Sequence, residues 1–191
     1  MQVITGSARG RRLTTVEGTD VVRPTTQKVK EAIFSAIQFD IEGAVVLDLF
    51  AGSGQLGIEA LSRGAKECTF VDSAAVSIKT IKQNVSHVGF DSTSEILNKP
   101  FSAFLKSTSK TFDLVFMDPP YGKKLVQKAL PLAAEKMSER GVIVCEHEKE
   151  CVCPQKIGEF SLTRVLRHGI ISVSIYRKIN PNDDNDEEDE I

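Results

Sequence analysis

Beyond residue 40 the chain alternates short apolar runs with stretches in which apolar residues recur every three or four positions. The runs fall at 44–49, 68–71, 95–97, 114–117 and 141–145, lengths that predict buried strands. Between them Ile58, Leu61 and Ala65, and then Val76, Ile78, Ile81 and Val85, fit helical faces. After Pro154 the helical period gives way to two further apolar stretches, 160–166 and 170–176, joined around His168-Gly169 as an antiparallel ending. Strands and helices in alternation predict an α/β, Rossmann-like fold, a mostly parallel seven-stranded sheet with helices on both faces.

Before residue 40 the pattern changes. Residues 2–5 and 12–16 suggest a small hairpin turning through Gly6, Ser7 and Gly10, and Thr25 or Thr26 can cap a helix with Val29, Ile33 and Ile37 on one face. The chain thus divides into an N-terminal hairpin-and-helix extension (1–40), an α/β domain (41–179) and a tail (180–191).

With 191 residues, 41% of them hydrophobic, the chain can bury one sizeable core, which excludes a wholly disordered protein and disfavours several domains. No apolar run approaches the roughly 20 residues needed to cross a bilayer. The opening residues carry no basic-then-apolar leader, so a cytoplasmic protein with no membrane partner is expected. Cys68, Cys145, Cys151 and Cys153 then read as free thiols. A net charge of −2 argues against nucleic acid until its distribution is considered. Residues 180–191 hold seven acids and no base, a block that cannot pack, and without them the charge is +5. Within residues 1–30, Arg9, Arg11, Arg12, Arg23, Lys28 and Lys30 outnumber Glu17 and Asp20 by four, giving a basic N-terminal edge.

Two segments carry chemistry. The first runs from a strand through Asp48, Phe50, Ala51, Gly52, Ser53 and Gly54 to Gly57 and a helix. Its glycines let backbone approach a ligand at a helix N-terminus. Read literally, Gly52, Gly54 and Gly57 satisfy G-x-G-x-x-G, so an NAD-binding oxidoreductase is one reading. Asp48 inside the strand and Asp72, followed by Ser73 at the end of the next, favour S-adenosylmethionine: Asp72 can accept from both ribose hydroxyls, and Asp48 can face the cationic methionine end.

The second is an apolar strand ending in Asp118-Pro119-Pro120-Tyr121. Successive prolines have no N–H and fix φ, holding stiff backbone whose carbonyls are free to accept from a ligand. An exocyclic nucleobase amine is a poor nucleophile because its lone pair is delocalised into the ring. If Asp118 and the Pro119 carbonyl accept its two N–H bonds, the nitrogen is oriented toward a methyl sulfonium, with Tyr121 as a stacking face. No general base is required, since the amine proton becomes acidic as the methyl arrives and can pass to Asp118 or water. Both segments emerge at the carboxyl ends of parallel strands and so belong to one cleft.

These motifs, with Arg23-Pro24-Thr25-Thr26 through Phe34 and Gly6-Ser7-Ala8-Arg9-Gly10-Arg11-Arg12-Leu13, resemble the RsmD family from about residue 3 to Tyr176. Members are class I methyltransferases acting on the exocyclic N2 of one guanine in bacterial 16S ribosomal RNA, guanine 966. The resemblance implies that the glycine loop and Asp72 bind the cofactor and that Asp118 to Tyr121 hold the guanine. Where the family often has an acid near the adenine, this chain reads Asn98-Lys99-Pro100-Phe101. Asn98 could bond the adenine amine, and Phe101 could pack on the ring or into the core.

Beside such a cleft Arg9, Arg11, Arg12, Arg23 and Lys28 would contact RNA phosphates, with 16S rRNA or an assembling small subunit as partner and a monomer as the expected state. Cys145, His147, Cys151 and Cys153 do not have the spacing of a zinc finger or ribbon, and no metal is expected. The rivals are methylation of another planar amine (DNA adenine-N6 or a protein glutamine), the nicotinamide oxidoreductase, and a non-catalytic RNA-binding factor on the same fold.

Overall fold

The five apolar runs beyond residue 40 lie side by side as the parallel half of one sheet. A computed structural model describes residues 1–16, 27–122 and 124–178. In chain order the elements are α1 (Gln27–Ala36), β1 (Val45–Leu49), α2 (Gln55–Ser62), β2 (Glu67–Asp72), α3 (Ala75–Val88), β3 (Ser94–Asn98), α4 (Phe101–Ser107), β4 (Phe112–Met117), α5 (Leu125–Ala134), β5 (Met137–Glu148), β6 (Lys156–Ile157), β7 (Phe160–His168) and β8 (Ile171–Lys178). The sheet order is β3-β2-β1-β4-β5-β8-β7-β6, parallel from β3 to β5 and antiparallel from there on. The expected seven strands are eight, because two-residue β6 pairs with the start of β7. An element that short leaves no alternation to read.

Side chains alternate across the sheet into two cores. One gathers Val46, Phe70, Phe116 and Val144 with Ile33 and Phe34 of α1, Ile58 of α2 and Ile81 of α3. The other gathers Leu47, Leu49, Val115 and Ile143 with Phe104 and Leu105 of α4 and Ala129 and Leu130 of α5. Val76, read as part of the buried face of α3, is exposed. It lies two residues from Ile78, about 200° around the helix.

The expected N-terminal hairpin is reduced to one bridge, Gln2 with Arg12, with Val3 N–H donating to the Arg11 carbonyl and Gly10 N–H to that of Val3. Leu13 N–H donates across to the Met1 carbonyl (2.8 Å), and several other backbone groups find helices instead. Ile4 and Thr5 donate N–H to Glu59 of α2 (2.8 and 3.0 Å), Ser7 donates to the Ser62 carbonyl (2.8 Å), and Thr14 to Asn84 Oδ1 of α3 (2.8 Å). A ladder between 2–5 and 12–16 would compete for the same donors. Val3, Ala8 and Leu13 consequently join the first core. Glu59, fully buried, also accepts from Lys30 Nζ (3.0 Å) and Arg63 Nε (2.9 Å). Lys30, counted above in the basic edge, is 1% exposed, and its charge is answered inside the molecule. The Thr25 or Thr26 cap, Arg23 and the acidic tail lie outside the described residues.

Candidate active site

β1 leads into a strained loop. Phe50 adopts φ +66°, a left-handed conformation uncommon for a side chain branched into a ring. Its N–H and that of Ala51 both donate to the Val71 carbonyl (3.0 and 3.1 Å), so the loop folds back over the end of β2. Gly52 N–H donates to Asp72 Oδ2 (2.9 Å). Gly54, at φ +77°, is the N-cap of α2. Gly57 acts by proximity: a Cβ there would sit 2.4 Å from the Phe70 ring and 2.6 Å from Cys68 Sγ, so only glycine lets α2 lie this close to β2.

Three carboxylates gather at the carboxyl edge, at or just after the ends of adjacent strands: Asp72 of β2, Asp48 of β1 and Asp118 after β4. Asp48 is 3% exposed and accepts the Gly57 N–H on Oδ2 (2.9 Å). Burial first, then the charges of Asp118 and Asp72, push its carboxyl up to about 8, against the pull of the Gly57 bond. Such a group is stabilised as a carboxylate by an incoming cation, and a sulfonium with an α-ammonium fits this donor set. Asp72 takes Gly52 N–H on one oxygen and Ala74 N–H on the other (2.8 Å), which fixes the carboxylate while leaving lone pairs for a ribose. Ser73 beside it is exposed. Asn98 Nδ2 donates to the Asp72 carbonyl (3.0 Å), which leaves its oxygen as the atom for an adenine amine. The Phe101 ring packs on that of Phe50, centroids 5.1 Å apart, placing two half-buried aromatics beside the loop.

After β4, Asp118 is half-buried, Pro119 buried, Pro120 exposed and Tyr121 39% exposed. The Tyr121 hydroxyl donates to Glu146 Oε1 (3.3 Å), and Glu146, on neighbouring β5, is 1% exposed. Partial burial, then the charges of Glu146 and Asp118, hold the phenol well above its ordinary range, so it stays a hydroxyl and a donor. Glu146 is a residue of the candidate site that the sequence reading passed over. Its signal is an acid continuing the apolar run 141–145.

Arg9, Arg11 and Arg12 are exposed on the N-terminal segment, and Lys28 is exposed on α1. Asn84 connects that segment to the glycine loop, since its Nδ2 donates both to the Thr14 carbonyl and to the Ser53 carbonyl (2.9 Å each). The fold also brings His147, near the end of β5, together with Cys151 and Cys153 just past it. No helix among the described residues is long and apolar enough to cross a membrane.

A parallel sheet in this order, a glycine loop after β1, an acid closing β2 and a proline-stiffened acid after β4 define a class I methyltransferase that uses S-adenosylmethionine. A family model described as "Conserved hypothetical protein 95" matches residues 1–177, and the chain belongs to that family, the RsmD family of the resemblance above. It is 41% identical to "Putative rRNA methyltransferase YlbH" of Bacillus subtilis, over 93% of this chain and 99% of that one. It is 34% identical to "Ribosomal RNA small subunit methyltransferase D" of Haemophilus influenzae, over 93% of each. The solved structure titled "Putative methyltransferase yhhF from Escherichia coli" superposes with a TM-score of 0.84 at 29% identity, covering 93% of this chain and 97% of that one.

Proposed function

We propose that the protein methylates the exocyclic N2 of a guanine in 16S ribosomal RNA, the nucleotide corresponding to guanine 966. The observation that carries the reading is Asp118-Pro119-Pro120-Tyr121 standing beside the cluster of Asp48 and Asp72, with the Tyr121 ring fixed by Glu146. The names of the relatives supply the RNA, and the exposed arginines of the N-terminal segment supply a surface for it.

When bound, S-adenosylmethionine supplies an electrophilic methyl group on a sulfonium. The residues that would hold it are Asp48, the loop Phe50, Ala51, Gly52, Ser53 and Gly54, then Asp72 and Ser73, with Asn98 and Phe101 beside the adenine. Asp118 and the Pro119 carbonyl accept the two N–H bonds of the guanine amine and turn its lone pair toward the methyl. Tyr121 stacks on the base, which must leave its own stack to arrive there. Asp118 would take the proton that the guanine nitrogen sheds once it carries the new methyl. Arg9, Arg11, Arg12, Arg23 and Lys28 supply the phosphate contacts.

The test is transfer of a labelled methyl group to small-subunit particles and to free 16S rRNA, followed by mass mapping of the product. Wild type is expected to label one guanine at N2 and Asp118→Ala to fail while still binding S-adenosylhomocysteine. Label on adenine-N6 or on a protein glutamine, or equal labelling by both proteins, overturns the reading.

A further inference from the structure

β5 carries Cys145 and His147 on the same face, two residues apart. The chain then turns, with Cys151 N–H donating to the Glu148 carbonyl (2.9 Å), and returns Cys151 and Cys153 against that face. A ring nitrogen of His147 and the sulfurs of Cys151 and Cys153 all lie within 4.8 Å of one another. Methyl transfer uses none of them. We propose that His147, Cys151 and Cys153 form a binding site for a borderline-soft divalent cation, zinc being the metal that two thiolates and an imidazole suit best.

In a tetrahedral site with Zn–S near 2.3 Å and Zn–N near 2.0 Å, ligand atoms stand about 3.4–3.8 Å apart, so closing on the metal asks for about 1 Å of movement. The surroundings are those of ligands held from behind. The Glu148 carbonyl can only accept, so the 2.8 Å contact from His147 Nδ1 puts the ring proton there and leaves the one lone pair on Nε2; the Ser174 hydroxyl that donates to it (2.8 Å) must rotate away for Nε2 to bind the metal. Gln127 of α5 donates Nε2–H to Cys151 Sγ (3.2 Å), the outer contact a thiolate ligand makes. The Tyr176 hydroxyl donates to the Pro154 carbonyl (2.9 Å), fixing the residue after Cys153. Cys145, buried on the strand face that carries His147, lies outside that 4.8 Å cluster, so water completes the tetrahedron. The sequence spacing, H-x3-C-x-C, matches no finger because one donor lies on a strand and the other two on the segment that returns to it.

The experiment uses the full chain purified under reducing conditions, with no affinity tag. Elemental analysis after equilibration with zinc and gel filtration is expected to find one zinc per chain. Replacement by cobalt is expected to give a thiolate-to-cobalt charge-transfer band and the intense visible absorption of tetrahedral cobalt. Cys151→Ser with Cys153→Ser, at partly exposed positions, is expected to keep the circular dichroism spectrum and lose zinc affinity at least about 100-fold. Zinc should raise the thermal midpoint of wild type and leave that of the double variant unmoved. A chain that takes up no stoichiometric zinc overturns the site, as does octahedral, thiolate-free cobalt absorption, equal uptake by the double variant, or recovery of Cys151 and Cys153 as a disulfide. Because the readout is the metal, failure here is distinct from failure of the methyl-transfer test.

Discussion

Asp48 is an acid that the folded chain holds partly as an acid. Its carboxyl titrates near 8 in the folded protein and near 3.8 in the unfolded chain, so folding takes up a proton across that interval. The contribution of Asp48 to stability is therefore fully present below about pH 4, falls as pH rises toward 8 by up to about 1.4 kcal/mol per unit, and levels off above it. Asp48→Asn keeps an acceptor for Gly57 N–H and removes the titration. Urea unfolding across pH 5–8 is expected to show a flatter profile and a higher midpoint at pH 8 in the variant; a slope equal to wild type would refute the assignment. A bound cation favours the ionised form, so affinity for S-adenosylmethionine should climb through pH 8 in wild type and not in Asp48→Asn. Tyr121 offers a second test. Tyr121→Ala, by losing a stacking face worth about 1–3 kcal/mol, should raise the KM for RNA roughly 10–100-fold, while Tyr121→Phe should keep most of the affinity. Equal effects of the two would place the function in the hydroxyl.

Among the elements, α2 has the most tasks. Its N-terminus faces the glycine loop, and its buried Glu59 answers Lys30, Arg63 and two backbone amides of the N-terminal segment. Glu59→Ala should cost about 3–5 kcal/mol in chemical denaturation, because it leaves a lysine buried without its partner. Adding Lys30→Met should recover only part of that, since Ile4 and Thr5 would still lack an acceptor. The parallel strands and the edge where the site forms were legible in the sequence because β1, β2, β4 and β5 carry buried apolar runs and lead into glycine, acid or proline. α4 and α5 were not. α4 is two turns long, and α5 contains Pro131, a residue that usually closes a helix. Glu59, Asn84 and Glu146 were also missed, for one reason: each acts through a partner distant in sequence, and spacing along the chain carries no trace of such pairs. Glu59 and Ile4 are 55 residues apart, Asn84 and Thr14 are 70. The Cys–His cluster was seen as a composition and dismissed on spacing, and only the return of the chain after β5 brings its donors together.

At the scale of the whole molecule a net charge of −2 conceals a basic N-terminal segment, three of whose arginines are exposed on one short stretch. Replacing Arg9, Arg11 and Arg12 by alanine should weaken RNA binding and lower the slope of log affinity against log salt by about 2–3, with affinity for the methyl donor unchanged. An unaltered slope would remove them from the interface. The anchoring of that same segment also sets an order of events during synthesis. Residues 1–16 are made ahead of their partners Glu59, Ser62 and Asn84, which follow 54–70 residues later. At about 5–20 residues per second the wait is roughly 3–14 s. The segment is therefore made several seconds before the helices that hold it, and until α2 and α3 follow, the backbone donors of Ile4, Thr5, Ala8 and Thr14 have only water to answer them.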